Sequence, residues 1–194
     1  DYDIATDALP EQVQAVFPHS LAIGAQFGVI MVLEDHHRIE VATFRNDGLY
    51  SDGRRPDFVQ FSRDAREDVQ RRDFTVNGLL MDPSSGEVLD YVDGQADIRR
   101  RVIRAIGDAP TRFREDRLRM LRAVRFACTL DFEIEERTFD AIAPLAPQIT
   151  SVSAERVRDE LARILTSGRA RRGFELLDAT GLLPHILRSE EHTS

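Results

Sequence analysis

Residues 112–130, RFREDRLRMLRAVRFACTL, carry the strongest helical pattern in the chain. At about 100° per residue, Glu115, Arg119 and Arg122 fall within about 60° of one another, and Leu121, Val124 and Cys128 fall within about 60° on the opposite side. The pattern predicts one amphipathic helix over 112–130, with Asp116 at the edge of its polar face, one turn before Arg119. A salt-bridged surface helix would account for this face. So would a helix that offers a base edge an acceptor at Asp116 and a planar fork of donors at Arg119, with Arg122 and Arg125 meeting phosphate or holding carboxylates in place.

Downstream of this segment the sequence stays helical. Helices are expected near 136–145, 154–165 and 169–179, with Ser153 as an N-cap and Gly181 as a stop. Upstream, helices are expected over 63–70 and 74–80, and short strands over 87–92 and 102–106. The first 45 residues read as α/β. Asp1 to Ala5 suits a short strand, and Pro10 to Phe17 a helix with proline in its first turn. Residues 28–33 (GVIMVL) and 38–44 (RIEVATF) suit two strands joined by the polar turn Glu34-Asp35-His36-His37. Residues 45–63, rich in Gly, Asp, Arg, Ser and Pro, read as an exposed mobile loop. The boundary between the α/β and helical parts is expected in the region 105–130.

The composition narrows the function classes. The 194 residues carry a net charge of −8, with 42% hydrophobic and 31% charged residues, as in an ordinary folded protein. No apolar run approaches the ~18–20 residues of a membrane span. Cys128 is the single cysteine, which excludes an intrachain disulfide and predicts a reducing, cytoplasmic setting. All 26 basic residues are arginine. The acidic total argues against non-specific nucleic-acid binding over the whole surface. Yet residues 99–125 hold ten arginines against Asp108, Glu115 and Asp116, a local balance of +7. Charge segregated in this way suits a phosphate-binding face.

Three carboxylates suggest metal chemistry. On a strand Asp1 and Asp3 point to the same face, and converging carboxylates repel unless a cation joins them. Mg²⁺ prefers such hard oxygen ligands together with substrate phosphates. Glu40 interrupts an otherwise apolar strand, where a carboxylate must reach solvent, a partner or a metal. A solvated pair of acids and a wet edge strand would equally explain these residues. In Arg71-Arg72-Asp73-Phe74-Thr75-Val76-Asn77-Gly78, the arginines could hold phosphate and Asp73 a ribose hydroxyl, or Asp73 could cap a helix between solvated arginines.

Taken in order, DYDIAT, IEVATFR, RRDFTVNGL, RAIGDAPTRFREDRLRMLRAVRFA and SAERVRDEL resemble the class II tRNA nucleotidyltransferase (CCA-adding enzyme) and bacterial poly(A) polymerase family up to about Leu187. The resemblance implies an α+β fold, a polymerase-β-like nucleotidyltransferase head (a small mixed sheet with helices) over 1–105, followed by an all-helical neck and start of the body over 106–187. It implies Asp1, Asp3 and Glu40 as catalytic, metal-binding carboxylates with Mg²⁺ as cofactor. Arg72, Asp73 and Asn77 would bind nucleotide. Glu115, Asp116 and Arg119 would act as a protein template for ATP and CTP, with Arg122 and Arg125 as further nucleotide-site arginines. Residues 45–62 match the loop that affects the switch from C to A addition, and 154–161 the helix supporting the template helix. The implied reaction is two-metal transfer of CMP or AMP to the 3′-hydroxyl of tRNA or another RNA, with no membrane and no obligate protein partner.

Poly(A) addition, or a specialist that adds only CC or only A, shares these motifs. A haloacid-dehalogenase-like phosphatase would want a different residue two places after Asp3 and a lysine. A non-catalytic RNA-binding module would leave the carboxylates idle. The family's Gly-Gly-x-x-Arg-Asp segment does not precede Asp1, so the sequence reads as a fragment, and Arg188–Ser194 reads as a non-native tail resembling a translated sequencing adapter. The five histidines show no zinc-like spacing.

Overall fold

A computed structural model describes residues 3–48 and 58–187 of the chain. Asp3–Thr6 forms β1, Pro10–Val16 α1, Ser20–Gly24 β2, Val29–Glu34 β3 and His37–Thr43 β4. The β3–β4 hairpin turns through Asp35 and His36, both at positive φ (43° and 69°). That geometry matches the twist of antiparallel strands, and Asp tolerates it better than most residues. The sheet order is β1-β4-β3-β2, with β1 parallel to β4 and the other pairs antiparallel. It is therefore the small mixed sheet expected. β2 was not anticipated: residues 20–24 are mostly exposed and give no clear alternation.

Strand alternation sorts the sheet into two faces. Ile30 and Val32 of β3 and Val41 of β4 pack with Val13 of α1 as a small buried cluster. Arg38, Glu40 and Ala42 alternate to the opposite face. In the parallel register Asp3 pairs with Glu40 and Ala5 with Ala42, so Asp3 and Glu40 share that face.

Residues 45–63 differ from the expected loop at both ends. Arg45–Asp47 (β5) pairs antiparallel with Val59–Phe61 (β6), while 49–57 lie outside the described residues. Ala65–Gln70 (α2) is capped by Asp64, whose carboxylate accepts from the Arg66 amide at 2.8 Å. The helix expected over 74–80 is absent. Phe74 bridges Ala105, Thr75–Asn77 makes one 3₁₀ turn, and Leu79–Met81 (β7) pairs with Val88–Asp90 (β8). Adjacent β-branched Thr75 and Val76 followed by Gly78 are poor helix formers. Gly94–Arg100 (α3) lies so close to that turn that a Cβ on Gly94 would sit 2.3 Å from the Thr75 carbonyl oxygen. Val102–Ile103 (β9) follows.

The helix expected over 112–130 is two helices. Ala109–Glu115 (α4) starts at Asp108, which accepts from the Thr111 amide, and ends at Asp116 in extended backbone (φ −139°, ψ 107°). Leu118–Leu130 (α5) then begins with the Asp116 carboxylate accepting from the Leu118 amide at 3.0 Å. Asp116 thus caps a new helix, the competition that short polar side chains offer to a continuing one. Glu133–Ile134 (β10) pairs with β9, and Glu136–Asp140 (α6) leads into a 3₁₀ segment, Ala143–Ser151, in place of one helix over 136–145. Ala154–Thr166 (α7), Ala170–Ala179 (α8) and Leu183–Ile186 (α9) complete the described chain. Ser153 stands at the α7 N-cap without a capping hydrogen bond, and Gly181 at φ +70° follows the end of α8.

One large core unites this half. Phe74, Ile103 and Ala105 pack with the buried faces of α4 and α5 (Phe113, Leu121, Val124, Cys128) and with Ile164 and Leu177 from α7 and α8. Gly173 permits the close crossing there, since a Cβ would meet Ile164 Cγ2 at 2.3 Å. Cys128 is fully buried, and burial raises its thiol pKa.

Candidate active site

A cleft of about 600 Å³ opens between the sheet and the helical half, lined by Asp3, Arg71, Arg72, Asp73, Asn77, Asp116, Arg119, Arg122, Phe126 and Arg156. Seven sequence-predicted residues therefore meet at one place: Asp3, Arg72, Asp73, Asn77, Asp116, Arg119 and Arg122. They arrive from β1, the turn after α2, the α4–α5 break and the polar face of α5. The break redirects Asp116, yet Glu115 and Arg119 still pair across it at 2.7 Å. An apolar groove of about 660 Å³ beside α1 holds none of the candidate residues.

Asp73 is buried and heavily bonded. It accepts from its neighbour Phe74's amide (2.9 Å), from Asn77 Nδ2 (2.9 Å) and from Arg122 Nε (2.7 Å). Burial alone would raise its pKa. The Arg122 charge and the hydrogen bonds outweigh burial and hold it below the usual carboxylate value. It does not cap a helix. Arg122 also lies over the Phe126 ring, so its guanidinium is fixed from two sides.

Asp116 Oδ2 accepts from Arg156 Nη2 at 2.8 Å. Arg119 donates to Glu115, to the Arg112 carbonyl (3.2 Å) and to the Arg71 carbonyl (3.1 Å). Glu40, Glu115 and Arg125 do not line the cleft. Glu115 ties Arg112 to Arg119. Arg125 is buried against Glu160 and stacks 3.8 Å from the Phe126 centroid; burial lowers its pKa and Glu160 offsets only part of that. Sequence reading missed Arg156 and Glu160, which stand i, i+4 on α7. Helical spacing put them on one face, but nothing in it said which way that face turned.

Asp1 lies outside the described residues. Asp3 and Glu40, opposed in register and exposed, carry no hydrogen bond or ion pair among the described residues. Two hard-oxygen donors left without an internal partner fit a divalent cation such as Mg²⁺. Among the described residues no three of His, Cys, Asp and Glu stand close enough to hold a metal.

The sheet, the carboxylate pair and the arginine-lined helical wall define a polymerase-β-like nucleotidyltransferase head joined to a helical region. The model for the poly A polymerase head domain matches residues 1–104, and the chain belongs to this family of class II tRNA nucleotidyltransferases and bacterial poly(A) polymerases. Residues 131–192 match a second model, described as the probable RNA and SrmB-binding site of polymerase A. The CCA-adding enzyme of Leuconostoc mesenteroides is 47% identical over 176 residues, 91% of this chain and 44% of that protein. That of Geobacillus stearothermophilus is 46% identical over 186 residues, 96% of this chain and 46% of that one. The crystal structure of the Bacillus stearothermophilus CCA-adding enzyme in complex with CTP aligns with a TM-score of 0.86 at 43% identity, covering 94% of this chain and 44% of that one. The Thermotoga maritima CCA-adding enzyme complexed with tRNA aligns at 0.74 and 25% identity, covering 95% and 43%. This chain thus spans somewhat under half the length of the curated relatives it matches. No helix among the described residues is long and apolar enough to cross a membrane.

Proposed function

We propose that this chain is the catalytic head and nucleotide-reading helices of a protein that adds CMP and AMP, from CTP and ATP, to the 3′-hydroxyl of tRNA. The observation that carries the reading is the meeting of Asp116 and Arg119 with Asp3 and the Asp73–Arg122 pair round one cleft. Cytosine and adenine both present an exocyclic amine donor where guanine and uracil present a carbonyl acceptor. The Asp116 carboxylate accepts from the amine and repels the carbonyl. Arg119 supplies donors to the ring nitrogen beside it. Asp73, kept ionised by Arg122, accepts from a ribose hydroxyl, while Arg72 and Arg122 face phosphate oxygens.

In the reaction an RNA 3′-hydroxyl gives up its proton to solvent as its oxygen forms a bond to the α-phosphorus, the bond from that phosphorus to the bridging oxygen breaks, and pyrophosphate leaves with the electron pair. Asp3 and Glu40, with Asp1, would hold Mg²⁺, which supplies activation of the attacking oxygen and neutralises the leaving charge. The arginines keep the triphosphate in line and the buried Asp73 fixes the sugar, so no protein nucleophile is needed. The chain's own contribution is orientation and preformed charge.

The test is an extension assay on the full-length protein with tRNA lacking its CCA end, Mg²⁺, and CTP alone, ATP alone or both. Two C residues followed by one A, and then a stop, is the expected result. A long tail from ATP alone, on unrelated RNA as well, would make the activity poly(A) addition. No transfer would return the cleft to a binding role.

A further inference from the structure

Asp68 is almost completely buried (1% exposed) and is absent from the reaction just described. It sits on α2 behind the cleft. Its Oδ1 accepts from Arg71 Nε (2.9 Å) and Nη2 (2.6 Å), and its Oδ2 from Arg72 Nη2 (3.0 Å) and, at longer range, Nε (3.3 Å). One carboxylate therefore receives two guanidinium forks, one on each oxygen. The spacing i, i+3 and i, i+4 lets both arginines, in the turn that ends α2, reach back to Asp68. A longer contact at 3.4 Å joins Oδ1 to the Arg45 amide on β5, so the same carboxylate touches the strand that opens the 45–61 hairpin.

The two arginines line the cleft. Arg72 also donates to the Asn77 carbonyl at 3.1 Å, and the Arg71 carbonyl accepts from Arg119. A buried carboxylate with this geometry costs desolvation unless its partners are held well. A bidentate fork restricts a guanidinium in both direction and roll. Without Asp68, two adjacent cations would repel and splay from the cleft wall.

We infer that Asp68 is a positioning residue for the triphosphate: it gathers Arg71 and Arg72 into one rigid pair whose positive charge is held at the cleft wall for phosphate oxygens. The inference rests on the nucleotide reading given above. It predicts a dependence on phosphate number that packing alone would not produce. A support that merely holds α2 in place would weaken every ligand of the cleft alike, whereas a support for the arginine pair weakens only what the arginines touch.

The experiment is equilibrium binding of CTP, CDP, CMP and cytidine to the full-length protein and to its Asp68→Asn and Asp68→Glu variants, with circular dichroism as the fold control. The expected result is a loss of CTP affinity of about tenfold or more in Asp68→Asn, a smaller loss for CMP, and cytidine within about twofold of wild type. Asp68→Glu keeps the charge but displaces the forks by a methylene, and is expected to fold and to lose CTP affinity in the same phosphate-dependent order. Equal losses for CTP and cytidine, or no loss, would overturn the inference. So would a chain that folds with neither Asn nor Glu at position 68, which would assign the residue to stability alone. Wild-type chain that binds CTP no better than cytidine would instead remove the triphosphate reading itself.

Discussion

The carboxylates of the sheet and those of the helical half, in and around the cleft, are treated in opposite ways. On the sheet, Asp3 and Glu40 are exposed, opposed in register and without a hydrogen bond or ion pair among the described residues. On the helical side, Asp73 and Asp116 at the cleft and Asp68 and Glu160 outside its lining are each clamped by arginine. Side chains that the protein has already paired are oriented before any ligand arrives. Those without a partner among the described residues keep their oxygens exposed. The lesson is that in this cleft the acids fall into two kinds, sorted by whether the fold itself answers their charge.

The sharpest way to break this contrast is Asp3→Ala in the full-length protein. Transfer of CMP to tRNA is expected to fall by three orders of magnitude or more, on the scale of metal-ligand loss, with the melting temperature unchanged because no internal bond is lost. Retained activity would show that the unpaired carboxylate is idle. The reverse holds on the other wall. Glu160→Leu leaves Arg125 buried without its partner, and loss of about 3–5 kcal/mol is expected in urea unfolding; an unchanged midpoint would show the pair to be dispensable. Arg119→Ala addresses reading, and because it also removes the Glu115 pair and two bonds to carbonyls its readout is a ratio between nucleotides. The preference for CTP and ATP over UTP and GTP is expected to narrow by about tenfold or more, measured as incorporation ratios, and an unchanged ratio would sink the template role.

A smaller, pH-dependent effect separates the walls again. Asp73 has a folded pKa below its unfolded value, near 3.8. Its ionised form therefore adds stability that is fully present above the unfolded pKa and is lost as pH falls through the folded one. Asp73→Asn is expected to be less stable than wild type at pH 7, with the gap closing below about pH 4 in unfolding measured across that range. A gap that stays constant with pH would mean that its charge contributes nothing. Smallest of all, Arg171→Ala removes an exposed pair with Glu175 on α8 and should leave the denaturation midpoint where it was.

Period and turn chemistry made much of this legible beforehand. The strand patterns of 28–33 and 38–44 and the polar turn between them located the hairpin, and seven of the motif residues meet at the cleft, while Glu40, Glu115 and Arg125 do not line it. The sequence misled where local polar chemistry competes with periodicity. Residues 112–130 satisfy a helical wheel throughout, but Asp116 takes the Leu118 amide and starts a second helix. The segment 74–80 holds apolar residues at helical spacing, yet Phe74 is drawn to a bridge with Ala105 and to the large core, a long-range preference that no local pattern encodes. Asp68, Arg156 and Glu160 were missed for a related reason. Their partners lie on the same or a neighbouring helix, and an acid on a helix rich in arginine reads as a solvated face until its burial is known.

The unequal cores carry a consequence for motion. The sheet that bears Asp3 and Glu40 rests on a cluster of four buried residues, Val13, Ile30, Val32 and Val41, whereas the arginine wall rests on the extensive cluster around α5. Local opening is governed by the apolar contacts that must be broken. Backbone amides of β1 and β4 should therefore exchange with solvent deuterium sooner than those of α5. The molecule would then hold Arg119 and Arg122 on its slowest-opening part and Asp3 and Glu40 on a thinner, more readily breathing sheet, so the two sides of the cleft are kept by parts of unequal stiffness.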